Sequence, residues 1–259
     1  MSKAARLSKI LRSDGRAVVA VLDHASAMGP MPGIVDPRPA VEKLLAGGAD
    51  AIATSMGTAL SCADLLDHVG LILRVDGGVS SLGSFAGGMK LVFGVEDALR
   101  IGADGVLSMG YCGQGEGEAL PYVALLGSEC QEWGVAYMAE MLPTVDGTRS
   151  AEPEHVALAA RIGAEYGADL IKTVYTGSPE SFREVTRGCY KPVLVLGGAK
   201  MGSDEAVLEI VRGAIDAGGA GVAMGRNLWQ HEHPDRITRA VAAIIHDDAS
   251  VASALKLLR

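Results

Sequence analysis

The sequence lacks a long apolar run and an excess of basic residues. No apolar stretch reaches the roughly 18–20 residues that cross a bilayer, and the start, Met1 to Arg6, leads into no apolar region of the signal-peptide kind. The formal net charge of −8 gives no electrostatic footprint for nucleic acid or an anionic membrane. We therefore expect a cytoplasmic protein that binds neither nucleic acid nor membrane. Any anionic ligand must be bound by a local site.

Closely spaced cysteines are absent as well. The four cysteines lie far apart and form no Cys-x-x-Cys pair: Cys62, Cys112, Cys130 and Cys189. Neither a disulfide framework nor a zinc site is predicted from such spacing. We expect four ordinary thiols and no bound metal ion.

A short tripeptide recurs along the chain. It occurs as Gly48-Ala49-Asp50, Gly102-Ala103-Asp104 and Gly167-Ala168-Asp169, with the variant Gly219-Ala220-Gly221. Each copy follows an amphipathic helical pattern and precedes a run of small and β-branched apolar residues. The glycine ends the helix and allows a tight turn into the next strand. The spacing between copies leaves room for two strand–helix units.

Eight such units are predicted. The strands are Ala17–Leu22, Ala51–Ser55, Leu71–Val75, Gly105–Met109, Val135–Ala139, Leu170–Val174, Val193–Leu196 and Gly221–Met224. Near-continuous apolar strands that alternate with helices indicate a parallel sheet covered by helices, and eight repeats in about 250 residues are typical of a TIM (β/α)8 barrel. A doubly wound α/β sheet is the rival, but no Gly-x-Gly-x-x-Gly follows the first strand. Without a linker in the sequence, residues 1–259 are predicted to form one domain.

Lys172 lies in the middle of the sixth predicted strand. Active sites of these barrels lie at the carboxyl ends of the strands, and the two-residue strand period places Leu170 and Val174 on the same face as Lys172. A buried, unpaired ammonium group is costly and tends to lose its proton. The free amine can form a Schiff base with a carbonyl substrate. The alternative is a structural ion pair with a carboxylate such as Asp23 or Glu140.

Other polar residues lie at the same end of the predicted barrel. Asp23 and His24 end the first strand, and they could relay protons or hold the hydroxyls of a polyol substrate. Glu140 ends the fifth strand, and Tyr175 follows Lys172. We expect Asp23, Glu140 and Tyr175 to be catalytic together with Lys172, and His24 to bind substrate.

Two glycine-containing loops predict a phosphate site. Loops after the seventh and eighth strands hold phosphate in many of these barrels, through backbone amides and a helix N-terminus. Here those loops contain Gly197, Gly198 and Lys200, followed by Gly225 and Arg226. Glycine lets the backbone approach the ligand, and a guanidinium can hold phosphate through two hydrogen bonds. The alternative for the paired glycines is an ordinary tight turn.

Four stretches resemble the archaeal-type class I aldolases, a DeoC-like family. They are Leu22-Asp23-His24, "DLIKTVYTG", "PVLVLGGAK" and "GVAMGRNLWQ". The family includes fructose-bisphosphate aldolase, an amino-dideoxy-heptulosonate synthase and the thiolase that degrades phosphorylated autoinducer-2. The resemblance implies a TIM barrel with Lys172 as the Schiff-base lysine, Asp23 in the active site and phosphate held at residues 197–200 and 225–227. It also implies a homo-oligomer, often a decamer in this family.

One stretch departs from the family pattern. The aldolases carry a Tyr-Pro-Arg motif after strand five, whose tyrosine donates a proton, whereas this chain has Met141-Leu142-Pro143-Thr144. Glu140 or Tyr175 could replace the missing phenol of position 142. The thiolase branch also lacks this tyrosine, so the departure leaves the reaction open.

We therefore expect an enzyme that cleaves or forms a C–C bond in a phosphorylated keto sugar of the dihydroxyacetone phosphate type, without a cofactor. Two alternatives use the same scaffold: thiolase-like acyl transfer to coenzyme A from a phosphorylated diketone, and a transaldolase-type heptulosonate synthase. A third is a barrel that binds a sugar phosphate without catalysis.

Overall fold

The structure, a computed structural model, describes residues 1–83, 89–113 and 116–259. Within these residues, eight parallel strands form a closed barrel in chain order. They are β1 (Ala17–Leu22), β2 (Ala51–Thr54), β3 (Gly70–Arg74), β4 (Gly105–Gly113), β5 (Ala136–Val145), β6 (Leu170–Thr173), β7 (Val193–Leu196) and β8 (Gly221–Met224). Each strand pairs with the next, and β8 pairs with β1. The predicted TIM (β/α)8 barrel is confirmed.

Helices follow the strands and cover the outside of the barrel. The described α-helices are Lys3–Ile10, Ala25–Met28, Pro37–Ala46, Met56–Ser61, Ala63–Leu66, Val95–Arg100, Glu116–Trp133, Pro153–Glu165, Pro179–Gly188, Asp204–Asp216, Arg226–Trp229, Pro234–His246 and Val251–Leu255, and a 3-10 turn covers Lys256–Leu258. Several begin with proline in the first turn, where its missing N–H costs no hydrogen bond. No helix in the described part of the chain is long and apolar enough to span a membrane.

The strands are buried on both faces, as a parallel sheet covered by helices requires. One set of alternate side chains fills the barrel interior, and Val19, Leu107 and Met138 belong to it. The other set, which includes Val18 and Val106, packs under the helices. In the middle of the barrel, the two-residue period of a strand thus alternates side chains between the interior and the outer core.

The helix Lys3–Ile10 closes the amino-terminal end of the barrel. Ile10 is buried among the inner side chains, and Lys3, Lys9 and Arg12 extend to the aspartates of the Gly-Ala-Asp repeats. The ion pairs are Lys3 with Asp169 at 3.0 Å, Lys9 with Asp104 at 3.2 Å, and Arg12 with Asp50. The same aspartates accept hydrogen bonds from strand amides: Val18 to Asp50 (2.7 Å), Leu71 to Asp104 (3.3 Å) and Tyr137 to Asp169 (3.0 Å). The repeat therefore joins neighbouring strands as well as ending helices.

Strands β4 and β5 are longer than the sequence predicted. They pair from Gly105 opposite Ala136 to Gly113 opposite Thr144, which extends the sheet past the barrel mouth. The chain then turns back at Asp146 and Gly147, both with positive φ, as in the two-residue Asp-Gly hairpins. The returning strand Thr148–Arg149 pairs with the end of β5. Arg149 is thereby returned to the mouth of the barrel.

Candidate active site

A cavity of about 470 Å³ opens at the carboxyl ends of the strands. Its polar lining comes from seven of the eight strands or the loops that follow them. The residues are Asp23, His24, Arg74, Asp76, Tyr111, Glu140, Arg149, Lys172, Gly197, Gly198, Gly225 and Arg226. A cavity at this end of a (β/α)8 barrel is the usual place for catalysis.

The strand period explains why four charged side chains face the cavity. Each of them follows an inner apolar residue by two positions: Val21 precedes Asp23, Ile72 precedes Arg74, Met138 precedes Glu140 and Leu170 precedes Lys172. Residues two apart on a strand share a face. In or directly after β1, β3, β5 and β6, the side chain two residues beyond an inner apolar one is therefore charged.

Lys172 is buried but paired. Its side chain is 7% exposed, and Nζ lies 3.0 Å from Oε2 of Glu140. The prediction of an unpaired ammonium is therefore wrong, because Lys172 pairs with Glu140. Val174, predicted on the same face as Lys172, lies beyond the end of β6 at Thr173 and packs in a different apolar cluster from Leu170. The carboxylate partner that the sequence left open is Glu140. An ion pair in the cavity keeps the amine beside a group that can exchange protons with it.

Arg74 connects the carboxylates of the cavity. Its Nη1 donates to Oδ2 of Asp23 and to Oε2 of Glu140, both at 3.0 Å, and its Nε donates to Asp76. Two cations, Arg74 and Lys172, thus face three carboxylates. Arg74 lies in the third predicted strand, Leu71–Val75, and Asp76 follows it directly. The sequence analysis assigned neither a role, because ion pairs across strands have no signature in the local pattern.

These contacts set the protonation of the carboxylates. Burial raises the pKa of Glu140, but the charges of Lys172 and Arg74 outweigh it and hold the pKa below its ordinary value. Burial likewise raises the pKa of Asp23, while the contact with His24 and the charges of Arg74 and Lys172 bring it well below the ordinary value. For Asp76, burial dominates and the pKa is raised. Asp23 and Glu140 are therefore ionised at neutral pH.

His24 lies beside Asp23 in the lining of the cavity. Its Nδ1 is 3.2 Å from Oδ1 of Asp23, although the two atoms do not have hydrogen-bond geometry. The edge of the ring packs against Trp229, with centroids 5.6 Å apart. A Cβ at Gly225 would lie 2.7 Å from the His24 ring. The glycine is thus required for the ring to occupy this place.

The predicted phosphate residues Gly197, Gly198, Gly225 and Arg226 lie together in the cavity. Nε of Arg226 is buried and has no hydrogen-bond partner in the described part of the chain. Gly198 has a φ of +64°, which favours glycine. The guanidinium of Arg226 is thus available for a ligand.

Asn227 holds the loop after β7 in place. Its Nδ2 donates to the carbonyl oxygens of Gly197 (2.7 Å) and Ala199 (3.1 Å), and its Oδ1 accepts from the Met201 amide at 2.8 Å. The resemblance placed Asn227 within the phosphate-holding residues 225–227, but sequence reasoning gave its side chain no separate role. Its only local signal was its position directly after Gly225 and Arg226.

Two predicted site residues lie elsewhere. Tyr175 packs against Phe182, with ring centroids 5.3 Å apart, and lies beside the helix Asp204–Asp216. It follows Lys172 by three residues, beyond the end of β6 at Thr173. Lys200 donates to the carbonyl of Gln230 at 2.6 Å and lines a separate surface pocket. Neither residue lines the cavity that contains Lys172.

Tyr111 and Arg149 line the cavity but were not among the predicted site residues. Tyr111 lies on the part of β4 that extends past the predicted strand end, and Arg149 lies on the returning strand of the hairpin. Both positions depend on how far the β4–β5 pairing continues. No periodicity in the sequence indicated that length.

The fold and the site define a class of protein. A (β/α)8 barrel with a buried lysine and carboxylates at the strand ends, beside glycine loops with an available guanidinium, is typical of carbon–carbon lyases that work through a lysine Schiff base.

The chain belongs to the DeoC/LacD family of aldolases, whose family model matches residues 17–231. An uncharacterised aldolase of Saccharolobus solfataricus is 35% identical over 98% of both chains. The 2-amino-3,7-dideoxy-D-threo-hept-6-ulosonate synthase of Halobacterium salinarum is 34% identical over 98% of this chain and 95% of its own. The structure of an archaeal fructose-1,6-bisphosphate aldolase, with its catalytic lysine bound to a carbinolamine intermediate, matches with a TM-score of 0.86 and 28% identity over 94% of this chain and 99% of that one. The predicted family is confirmed.

Proposed function

We propose that the protein is a class I aldolase that cleaves or forms a C–C bond in a phosphorylated keto sugar, with Lys172 as the Schiff-base lysine. The observation that carries the proposal is the pair of Lys172 Nζ and Glu140 Oε2, 3.0 Å apart in a cavity that also contains Arg226. A nucleophile, a proton acceptor and an anion-binding group are thus combined in one site.

The first step is formation of the Schiff base. Glu140 takes a proton from Lys172, and the free amine attacks the ketone carbon of a substrate of the dihydroxyacetone phosphate type. The carbinolamine then loses water, for which Glu140 returns a proton to the departing hydroxyl. The resulting iminium accepts the electron pair of the C–C bond that breaks, so the mechanism needs no metal ion as an electron sink.

The surrounding residues bind and orient the substrate. Asp23, ionised and bound to Arg74, accepts hydrogen bonds from substrate hydroxyls, and His24 lies beside it. Arg226 and the backbone at Gly197, Gly198 and Gly225 hold the phosphate. The reactions named for the relatives support a phosphorylated substrate. The heptulosonate synthase also supports a second candidate, transaldolase-type synthesis of a heptulosonate on the same lysine.

Borohydride trapping tests the proposal. The protein is incubated with dihydroxyacetone phosphate or fructose 1,6-bisphosphate and reduced, and the modified peptide is identified by mass spectrometry. We expect a stable adduct on Lys172. Turnover that requires added coenzyme A would instead indicate thiolase chemistry, and the absence of an adduct with every ketose phosphate would contradict the proposal.

A further inference from the structure

Tyr111 occupies a place in the cavity that none of the roles above uses. It lies on β4 directly opposite Leu142 of β5. The side chain of Leu142 is 1% exposed within an apolar cluster and cannot donate a proton, whereas Tyr111 lines the cavity. Of these two paired residues, only Tyr111 offers an acid or a base to a substrate.

The position of Tyr111 relative to Lys172 follows from the register. Met109 is opposite Glu140, and Glu140 is opposite Lys172. Tyr111 follows Met109 by two residues on the same face, which places it roughly 7 Å further toward the mouth. Lys172 and Glu140 therefore reach the carbon that bonds to nitrogen, and Tyr111 reaches the part of the substrate beyond it.

The hydroxyl of Tyr111 differs from those of the neighbouring tyrosines in its hydrogen bonding. Tyr122 donates to the carbonyl of Met109, and the Tyr137 hydroxyl is 2.7 Å from Ser108 Oγ. Within residues 1–83, 89–113 and 116–259, Tyr111 makes no such bond, although its ring is partly buried. A phenol kept in a polar cavity without a partner is available to a ligand.

The surroundings keep this phenol protonated. Burial raises the pKa of Tyr111, and the charges of Glu140 and Asp76 add to the effect, while Arg74 and Arg149 oppose it. A protonated phenol suits donation to a developing alkoxide.

We propose that Tyr111 is the catalytic acid at the carbonyl oxygen of the acceptor aldehyde, an inference that rests on the Schiff-base function proposed above. In the direction of C–C bond formation, the enamine carbon on Lys172 attacks the aldehyde carbon. The new bond takes the enamine electron pair, the carbonyl π pair moves to oxygen, and that oxygen takes the proton of Tyr111. Solvent reprotonates the phenolate. In cleavage, the phenolate takes the hydroxyl proton and the same electron pairs return.

The test separates steps before and after acceptor binding. Tyr111→Phe removes only the hydroxyl, and Tyr175→Phe is the matched control because Tyr175 lies outside the cavity. Two probes use dihydroxyacetone phosphate alone: borohydride trapping on Lys172, and exchange of its C3 proton in D2O followed by NMR. The third measures condensation with phosphorylated aldehydes such as D-glyceraldehyde 3-phosphate and D-erythrose 4-phosphate.

We expect Tyr111→Phe to lower condensation by about 10²- to 10⁴-fold, with trapping and exchange within about twofold of the unaltered protein and Tyr175→Phe unchanged in all three assays. Condensation by Tyr111→Phe within about twofold would overturn the proposal. An equal fall in trapping, exchange and condensation would overturn it as well, since that indicates a structural role. If the unaltered protein forms no adduct, the Schiff-base function itself fails, whatever Tyr111 does.

Discussion

Buried carboxylates lie at both ends of the barrel, and they are bound in different ways. At the amino-terminal end, Asp104 is 1% exposed and accepts a strand amide in addition to its pair with Lys9. At the carboxyl end, the carboxylates of Asp23 and Glu140 are also buried, at 9% and 6% exposure, but are contacted only by side chains in the described part of the chain. The first end is closed by a helix, and the second opens on a cavity.

Burial of a charged side chain therefore does not by itself identify a catalytic group. A carboxylate bound to backbone amides holds strands together, and its oxygens are occupied. A carboxylate bound only to side chains, with a cavity beside it, keeps oxygen lone pairs for a substrate. Substitutions at the carboxyl end should therefore lower activity, and substitutions at the amino-terminal end should lower stability.

Lys172→Met should abolish the borohydride adduct and lower turnover by about 10⁴-fold or more, because the nucleophile is lost. The free energy of unfolding should change little, since Arg74 still pairs with Glu140. Peptide mass spectrometry and assays with ketose phosphates measure the first effect, and urea unfolding measures the second. Lys200→Met is the matched control. If Lys172→Met keeps its turnover, the barrel either uses another nucleophile or does not react through an imine.

Arg226→Ala should raise the dihydroxyacetone phosphate concentration needed for half-maximal adduct formation by roughly 10- to 100-fold, because charged hydrogen bonds to phosphate are lost. The maximum rate of trapping should change much less. Lys200→Ala serves as the control, since Lys200 bonds to Gln230 outside the cavity. An equal effect of the two substitutions would indicate that general positive charge, not the Arg226 guanidinium, attracts the substrate.

Asp104→Ala should lower the free energy of unfolding by about 1–3 kcal/mol, because the buried amide of Leu71 loses its acceptor. The rate of adduct formation on Lys172 should stay the same while the protein is folded. Urea unfolding and trapping on the same preparation check this. Lys9→Ala should cost less than about 1 kcal/mol, since that side chain is partly exposed. Loss of adduct formation by folded Asp104→Ala would contradict the assignment of stability to the amino-terminal end and activity to the carboxyl end.

His246 gives the smallest effect, and it depends on pH. Its ring nitrogens lie 2.7 Å from Asp14 and 2.9 Å from Asp50. Burial lowers the pKa of His246, but the hydrogen bonds to Asp50 and Asp14 outweigh it and raise the pKa above its ordinary value. The stabilisation is therefore complete below the unfolded pKa of about 6.5 and is lost as pH rises through the folded pKa.

Urea unfolding of His246→Gln measures this effect. The loss of stability should be on the order of 1 kcal/mol at pH 5.5 and smaller at pH 8.5. His68→Gln is the control, because His68 is exposed and makes no ion pair in the described part of the chain. A loss that grows with pH would contradict the assignment.

Much of the fold could be predicted from local patterns. The apolar runs and the Gly-Ala-Asp repeats indicated eight strands in the right order, because each strand–helix unit has its own period and its own glycine end. The lengths of β4 and β5 could not be predicted in this way. Their outer halves are stabilised by pairing with each other, and such pairing leaves no period in either segment.

The candidate site was predictable where a residue differed from its own strand. Lys172 and Glu140 are charges in apolar runs, and Asp23 ends one. Tyr175 and Lys200 were placed in the site for their chemistry and their closeness in sequence, whereas the strand face and the direction of the loop decide where a side chain lies. β6 ends before Tyr175, and the chain that follows carries this side chain to Phe182 and away from the cavity.

Local sequence patterns predict a barrel of eight strand–helix units with a lysine at an inward position of the sixth strand, because the two-residue period and the glycine turns are properties of short segments. Three features of the site are visible only in the folded barrel: Glu140 pairs with Lys172, Arg74 joins Asp23 to Glu140, and Tyr111 faces the cavity. The reason is physical: these groups come from different strands, and only closure of the sheet and the register between neighbouring strands fix the distances between their side chains.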